Sequence, residues 1–122
     1  MNVAVLEGKA LGAIEIAPAN EFYDYAAKYT AGTTKYYYPA RIPEAHVRRV
    51  LDAAELAHRG LGCSGVSRVD FIVAPDGTPF ILEVNTLPGM TATSLVPKIA
   101  AGLGLAFPDL CEQILDGAAL KA

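Results

Sequence analysis

Long apolar runs, basic clusters, paired cysteines and glycine-rich nucleotide loops are all missing from this 122-residue chain. Its longest apolar run, residues 99–107 between Lys98 and Pro108, falls far short of the roughly 20 residues that a membrane-spanning helix needs. With 10 Lys and Arg against 13 Asp and Glu, a net charge of -3 and a pI near 5.3, there is no electrostatic footprint for nucleic acid. Arg48-Arg49, the adjacent basic pair, reads as part of a solvated helix face. Cys63 and Cys111 belong to no CxxC or Cys/His metal pattern, and the N-terminus carries no secretory segment. Two reduced thiols in a cytoplasmic protein are therefore expected. Neither a GxGxxG fingerprint nor a GxxxxGK[ST] loop occurs, and no Ser/His/Asp or Cys/His arrangement stands out.

What is present is a rich supply of apolar residues, 52% of the chain with a mean hydropathy of +0.30. That suits either a well-filled core or an apolar surface meant for a neighbouring domain. The length is that of one domain, residues 1–122, able to bury a core without metal or disulfide staples. Residues 3–6 and 11–16 around Glu7-Gly8-Lys9 predict a hairpin. The first strand begins almost at Met1, which suggests that something upstream is missing. A polar, aromatic loop follows over residues 21–34, long enough to suggest function, and then a short strand over residues 35–38. Residues 42–61 predict a helix with Pro43 and Glu44 in the first turn, Val47, Val50, Leu51, Ala54, Ala57 and Leu61 at helical spacing, and Gly62 at its end. His46 and His58 fall at its polar positions and read as solvent-exposed. Two more helices are expected over residues 94–103 and 107–115, the last with Leu110, Ile114 and Leu115 inward. The tail from Gly117 onward should fray.

The most informative stretch lies between. Residues 67–74 and 80–85 read as two apolar strands joined at Pro75-Asp76-Gly77. A four-residue loop from Pro75 to Thr78 sets Asp70 opposite Glu83 and Arg68 opposite Asn85. Strand parity then points all four side chains to one face, beside Ile72 and Ile81. Facing carboxylates repel unless a cation lies between them, and an Asp, Glu and Asn oxygen set suits a hard ion such as magnesium. The plainer account is an exposed sheet face. Arg68 is suited to offsetting negative charge on a substrate, and Gly89 in Asn85-Thr86-Leu87-Pro88-Gly89-Met90 to a turn whose N–H groups face an anion. Ser94 and Leu95 at a helix start could meet a carboxylate or serve as an ordinary cap. Lys28 and Tyr29 fit either a phosphate-reaching lysine and lid tyrosine or a surface loop.

These motifs together resemble the C-terminal part of the D-alanine:D-alanine ligases, ATP-grasp enzymes of peptidoglycan synthesis. The resemblance rests on Arg68-Val69-Asp70, on the run from Phe80-Ile81-Leu82-Glu83-Val84-Asn85 to Thr91, and on Ser94-Leu95-Val96-Pro97. Phe22-Tyr23-Asp24-Tyr25-Ala26-Ala27-Lys28-Tyr29 is similar to the family's ω-loop, and Gly62-Cys63-Ser64-Gly65 to the segment before its metal strand. It covers about residues 3–115.

The resemblance implies an α+β fold, the ATP-grasp C-terminal subdomain, with a mainly antiparallel sheet and helices packed on one side. It implies that Asp70, Glu83 and Asn85 hold two magnesium ions, or manganese in their place, with ATP as cosubstrate. Arg68 and the Gly89 N–H would stabilise a tetrahedral intermediate, Ser94 and Leu95 would bind the carboxylate of the second D-alanine, Lys28 would reach the ATP phosphates, and Tyr29 would help close the loop over the site. It also implies a cytoplasmic enzyme of cell-wall biogenesis and cell shape, acting on D-alanine and ATP. The family's N-terminal and central domains are absent, so the chain alone is expected to be inactive. Met1-Asn2 stands where the family's ribose-binding acidic residue would be, and Val66-Ser67 replaces a common aromatic-glycine pair. Another ATP-grasp carboxylate-amine ligase fragment, a truncated non-catalytic interaction module and a homodimer all stay open.

Overall fold

The structure, a computed structural model, describes residues 1–18 and 34–120; Lys28, Tyr29 and the ω-loop-like segment lie outside the described residues. Five strands, β1 (Asn2–Leu6), β2 (Lys9–Pro18), β3 (Thr34–Tyr37), β4 (Val66–Val73) and β5 (Pro79–Asn85), form one sheet in the order β3-β2-β1-β4-β5. Every neighbouring pair is antiparallel. Three helices complete the described fold: α1 (Glu44–Gly60), α2 (Leu95–Gly102) and α3 (Phe107–Asp116).

β1 is the centre of the sheet, and its apolar residues serve two cores by strand parity. Val3 and Val5 join Ala13, Val69 and Phe71 beneath Val50 and Ala54 of α1. Ala4 joins Ile14 against Val96, Ile99 and Ala100 of α2 and Leu110 of α3. The helices are thus divided between the two faces, a correction to the expected single-sided packing. A strand apolar at consecutive positions is covered on both faces, because alternate side chains each need an apolar partner. Each fully buried Val or Ile here contributes about 1.5–3 kcal/mol relative to an exposed one.

Coverage is unequal. Helix α1 contacts β2, β1, β4 and β5, whereas α2 contacts β1 and β2. Among the described residues, β4 and β5 are therefore left as an open shelf on the α2 face, where Ile72 is 58% exposed.

Two expectations about α1 and α3 change. His58 is buried at 2% exposure, since Val50, Ala54 and His58 recur every four residues and make one continuous stripe. Leu61 and Leu115, expected inward, are 67% and 71% exposed. Leu61 follows the last helical residue, where the chain turns through Gly62 at φ +69°, and Gly62 N–H donates to Arg59 O. His46, by contrast, lies against the β4–β5 turn. A Cβ at Gly77, which has φ +87°, would overlap its ring.

The central hairpin holds its expected carboxylate register by an unexpected route. Asp70 faces Glu83 and Arg68 faces Asn85, but Val73 pairs with Pro79 and Phe71 with Ile81. Leu82 is therefore an extra residue on β5, a bulge that absorbs the one-residue difference between the turn and the ligand pairs. Ile72 consequently pairs with Phe80 rather than sharing its face with Ile81.

His58 Nδ1 lies 2.7 Å from Ser67 Oγ, a buried link between α1 and β4. Burial pushes the His58 pKa below its ordinary 6.5; Glu7 works against that shift and Arg59 adds to it. Because the folded pKa is lowered, the unfolded chain takes up the proton first as pH falls. Stability is accordingly full above 6.5 and declines as pH drops from there through the lowered value. Urea unfolding across that window should show this slope in the unmodified chain and lose it in His58→Gln; equal slopes would refute the assignment.

Candidate functional site

Two adjacent rows of side chains cross the open shelf. Strand pairing lines up Ile14, Asn2, Asp70 and Glu83 in one row, and Gly12, Ala4, Arg68 and Asn85 in the next. All share the α2 face of the sheet, since directly opposed residues on neighbouring strands point the same way. The rows end where the α2 face runs out of helix cover, and Asn2, Arg68, Asp70 and Glu83 border a cleft of about 440 Å³. Arg68, Asp70, Glu83, Gly89, Ser94 and Leu95 all line it, so the structure brings together six of the residues singled out in the sequence. Asn85, opposite Arg68, is not on the cleft wall; its Oδ1 accepts from Leu87 N–H at 3.0 Å and turns the chain out of β5.

The carboxylate pair is held by a cation that the protein itself supplies. Arg68 Nε donates to Asp70 Oδ1 at 2.8 Å and Nη2 to Oδ2 at 2.9 Å, while the same Nη2 is 3.6 Å from Glu83 Oε1. Asn2 Nδ2 adds a third bond to Asp70, 2.6 Å from Oδ1. The Arg68 and Asp70 side chains are 18% and 17% exposed, so this pair is only weakly screened, whereas Glu83 at 62% is open to the cleft. Placement of a guanidinium here shows that the two facing acids create a site for positive charge.

The donor chemistry also fits a hard divalent ion. Among the described residues no three His, Cys, Asp or Glu side chains converge as a metal cage. Two carboxylates and a nearby amide instead match an ion that keeps waters and takes further oxygens from a phosphorylated ligand, as magnesium does.

At the far end of the cleft the chain doubles back through residues 86–94 into α2. Ser94 is the N-cap, yet its hydroxyl does not cap the helix. It faces backward, 2.9 Å from Thr91 N and 2.7 Å from Thr91 Oγ1, which keeps the loop closed. A Cβ on Gly89 would come within 2.9 Å of Ser94 Oγ, so glycine is what lets the two strands of the loop approach. The first N–H groups of α2 thus meet the cleft without a side-chain cap, a setting that favours anions.

Other cleft residues were given no site role in the sequence, among them Asn2, Ile16, Tyr36 and Thr93. Ile16 and Tyr36 are directly paired across β2 and β3 and form the apolar wall, with Lys98 Nζ 5.1 Å from the Tyr36 ring centroid. Their face could be deduced only from the β1–β2–β3 register. The register shift between Ala4 and Val5 leaves Leu11 of β2, beside Gly12, as the extra residue.

Residues 1–116 match the family model described as D-ala D-ala ligase C-terminus. This chain belongs to that family. It is 92% identical over 122 residues to the D-alanine–D-alanine ligase of Anaeromyxobacter sp. (strain Fw109-5), covering 100% of this chain and 40% of that protein. The crystal structure of D-alanine–D-alanine ligase from Bacillus anthracis complexed with ATP is similar at TM-score 0.78 and 39% identity, over 95% of this chain and 38% of the other. The VanG D-Ala:D-Ser ligase from Enterococcus faecalis matches at TM-score 0.75 and 37% identity, over 94% and 34% respectively. The chain therefore spans about 40% of the length of the ligase it resembles at 92% identity.

Removing the Arg68 guanidinium while keeping its bulk tests the electrostatic reading. Arg68→Met should cost about 2 kcal/mol of stability in urea without divalent ions, because it leaves facing carboxylates uncompensated. Added magnesium should narrow that loss. A loss unchanged by magnesium would count against a shared cation position.

Proposed function

We propose that this chain is the phosphate- and acceptor-handling wall of an ATP-dependent D-alanine:D-alanine ligase. The observation that carries the reading is the convergence of Arg68, Asp70, Glu83, Gly89, Ser94 and Leu95 on one cleft of a chain belonging to this family. In the reaction, a carboxylate oxygen of the first D-alanine attacks the γ-phosphorus of ATP, and ADP leaves. The amine of the second D-alanine then attacks the acyl carbon, loses a proton, and expels inorganic phosphate as the peptide bond forms.

Each residue has a task matched to its position. Asp70 and Glu83, with Asn85 behind them, hold magnesium, or manganese in its place. The bound ion supplies charge neutralisation for the ATP phosphates. Arg68 and the Gly89 N–H stabilise the oxyanion that develops at the acyl carbon, Arg68 from the β4 row and Gly89 from the loop opposite. The Ser94 hydroxyl and Leu95 N–H hold the acceptor's carboxylate at the α2 terminus, which fixes the direction of its amine. Lys28 and Tyr29 are assigned to the phosphates and to closure of the loop over the cleft.

Binding of the first substrate and of adenine and ribose falls to the remaining length of the ligase, and the setting is the cytoplasmic stage of peptidoglycan synthesis. A chain carrying one wall of the cleft cannot orient both substrates, so it is inactive by itself.

Grafting this chain in place of the matched segment of the Anaeromyxobacter ligase provides the test. The graft should release phosphate and form D-alanyl-D-alanine with ATP and magnesium, whereas the free chain should not. Glu83→Gln in the graft should lower kcat by about a hundredfold or more. Turnover by the free chain at the graft's rate, or a Glu83→Gln graft at full activity, would refute the proposal.

A further inference from the structure

Asn2 is a buried polar residue at the start of a strand that is otherwise wholly apolar, and it is 6% exposed. A buried amide is costly unless it is hydrogen-bonded, so its partner explains its presence better than its packing does. That partner is Asp70, directly opposite on β4, whose Oδ1 accepts from Asn2 Nδ2 at 2.6 Å.

The bond divides the labour between the two oxygens of Asp70. Oδ1 accepts from both Asn2 Nδ2 and Arg68 Nε, at 2.6 and 2.8 Å. Oδ2 accepts from Arg68 Nη2 at 2.9 Å, and that nitrogen is also 3.6 Å from Glu83 Oε1. The guanidinium thus touches both oxygens, but Nη2, the nitrogen that also approaches Glu83, bonds Oδ2, while Oδ1 is shared between Arg68 Nε and Asn2 on β1. Arg68 grips Asp70 through both oxygens but is also drawn to Glu83, so its hold on Asp70 is coupled to that of Glu83. Asn2 approaches from the opposite strand and supplies that independent hold.

We propose that Asn2 is a positioning residue for a divalent cation: it pins Asp70 Oδ1 from the β1 side and leaves Oδ2, on the Glu83 side, to face the ion. Partners of this kind orient ligand side chains, and their loss typically weakens metal affinity about 10- to 100-fold. The inference rests on the reading of Asp70 and Glu83 as cation ligands.

Titration of this chain with Mn²⁺, followed by the electron paramagnetic resonance signal of the free ion, separates the two. The unmodified chain should bind Mn²⁺, and Asn2→Leu, which keeps the volume but removes the donor, should bind about 10- to 100-fold more weakly while its circular dichroism stays folded. A purely structural role would change stability and leave the affinity of folded molecules unaltered. Unchanged affinity in Asn2→Leu overturns the role of Asn2, and no Mn²⁺ binding by the unmodified chain removes the cation reading and this inference with it. Should Asn2→Leu not fold, the side-chain amide resonances of Asn2 in the ¹⁵N-labelled unmodified chain decide. Added magnesium should shift them at the concentrations that shift Asp70, and an Asn2 signal that stays still while Asp70 moves overturns the proposal.

Discussion

Asp70 and Glu83 face each other across an antiparallel pair, and their mutual repulsion must be offset for β4 and β5 to stay zipped. Arg68 offsets it from within the sheet, spanning Asp70 at 2.8 Å and Glu83 at 3.6 Å. The surrounding architecture makes this arrangement durable. Asn2 ties Asp70 to the central strand, and the bulge at Leu82 keeps Glu83 in line with it. The apolar α1 core under Val69 and Phe71 fixes the strand on which both Arg68 and Asp70 ride. A low-dielectric floor raises the strength of each charge above it.

Unequal helix cover gives this floor its opening. Helix α1 reaches across β2, β1, β4 and β5 on one face, and α2 stays over β1 and β2 on the other. Among the described helices, α1 therefore covers the sheet from below, and none covers β4 and β5 from above. The same arrangement sets the start of α2 at the edge of the opening, so an anion-favouring helix terminus and a cation-favouring acid pair border one cleft. A two-sided core built by β1 is what allows both, because Val3 and Val5 serve one layer while Ala4 serves the other.

Much of this was readable from the residue order. Strand parity and a four-residue turn predict the facing pairs 70/83 and 68/85, and they hold because the Leu82 bulge makes up for a turn one residue longer. The motif run from Phe80 to Pro97 pointed to the family. The parts that were not readable depend on contacts distant in sequence or on a polar residue in an apolar role. The Leu82 bulge has no glycine or proline to announce it. His58 continues the buried stripe of Val50 and Ala54, but its polarity argues for the outside until Ser67 is known to lie 2.7 Å away. Asn2 gains its meaning only from pairing with a strand distant in sequence, β4. Helices on both faces were signalled by four consecutive apolar residues in β1, a pattern that parity alone explains.

The Leu82 bulge separates the geometry of the hairpin turn from the geometry of the acids. Val73 pairs with Pro79 in one register and Asp70 with Glu83 in another, with the change taken up between them. The turn at residues 74–78 belongs to one mechanical unit, bonded to itself and seated against His46, and the charged rows belong to a second. A strand with such a joint can drift in turn length over evolutionary time while its carboxylate stays opposite the same partner.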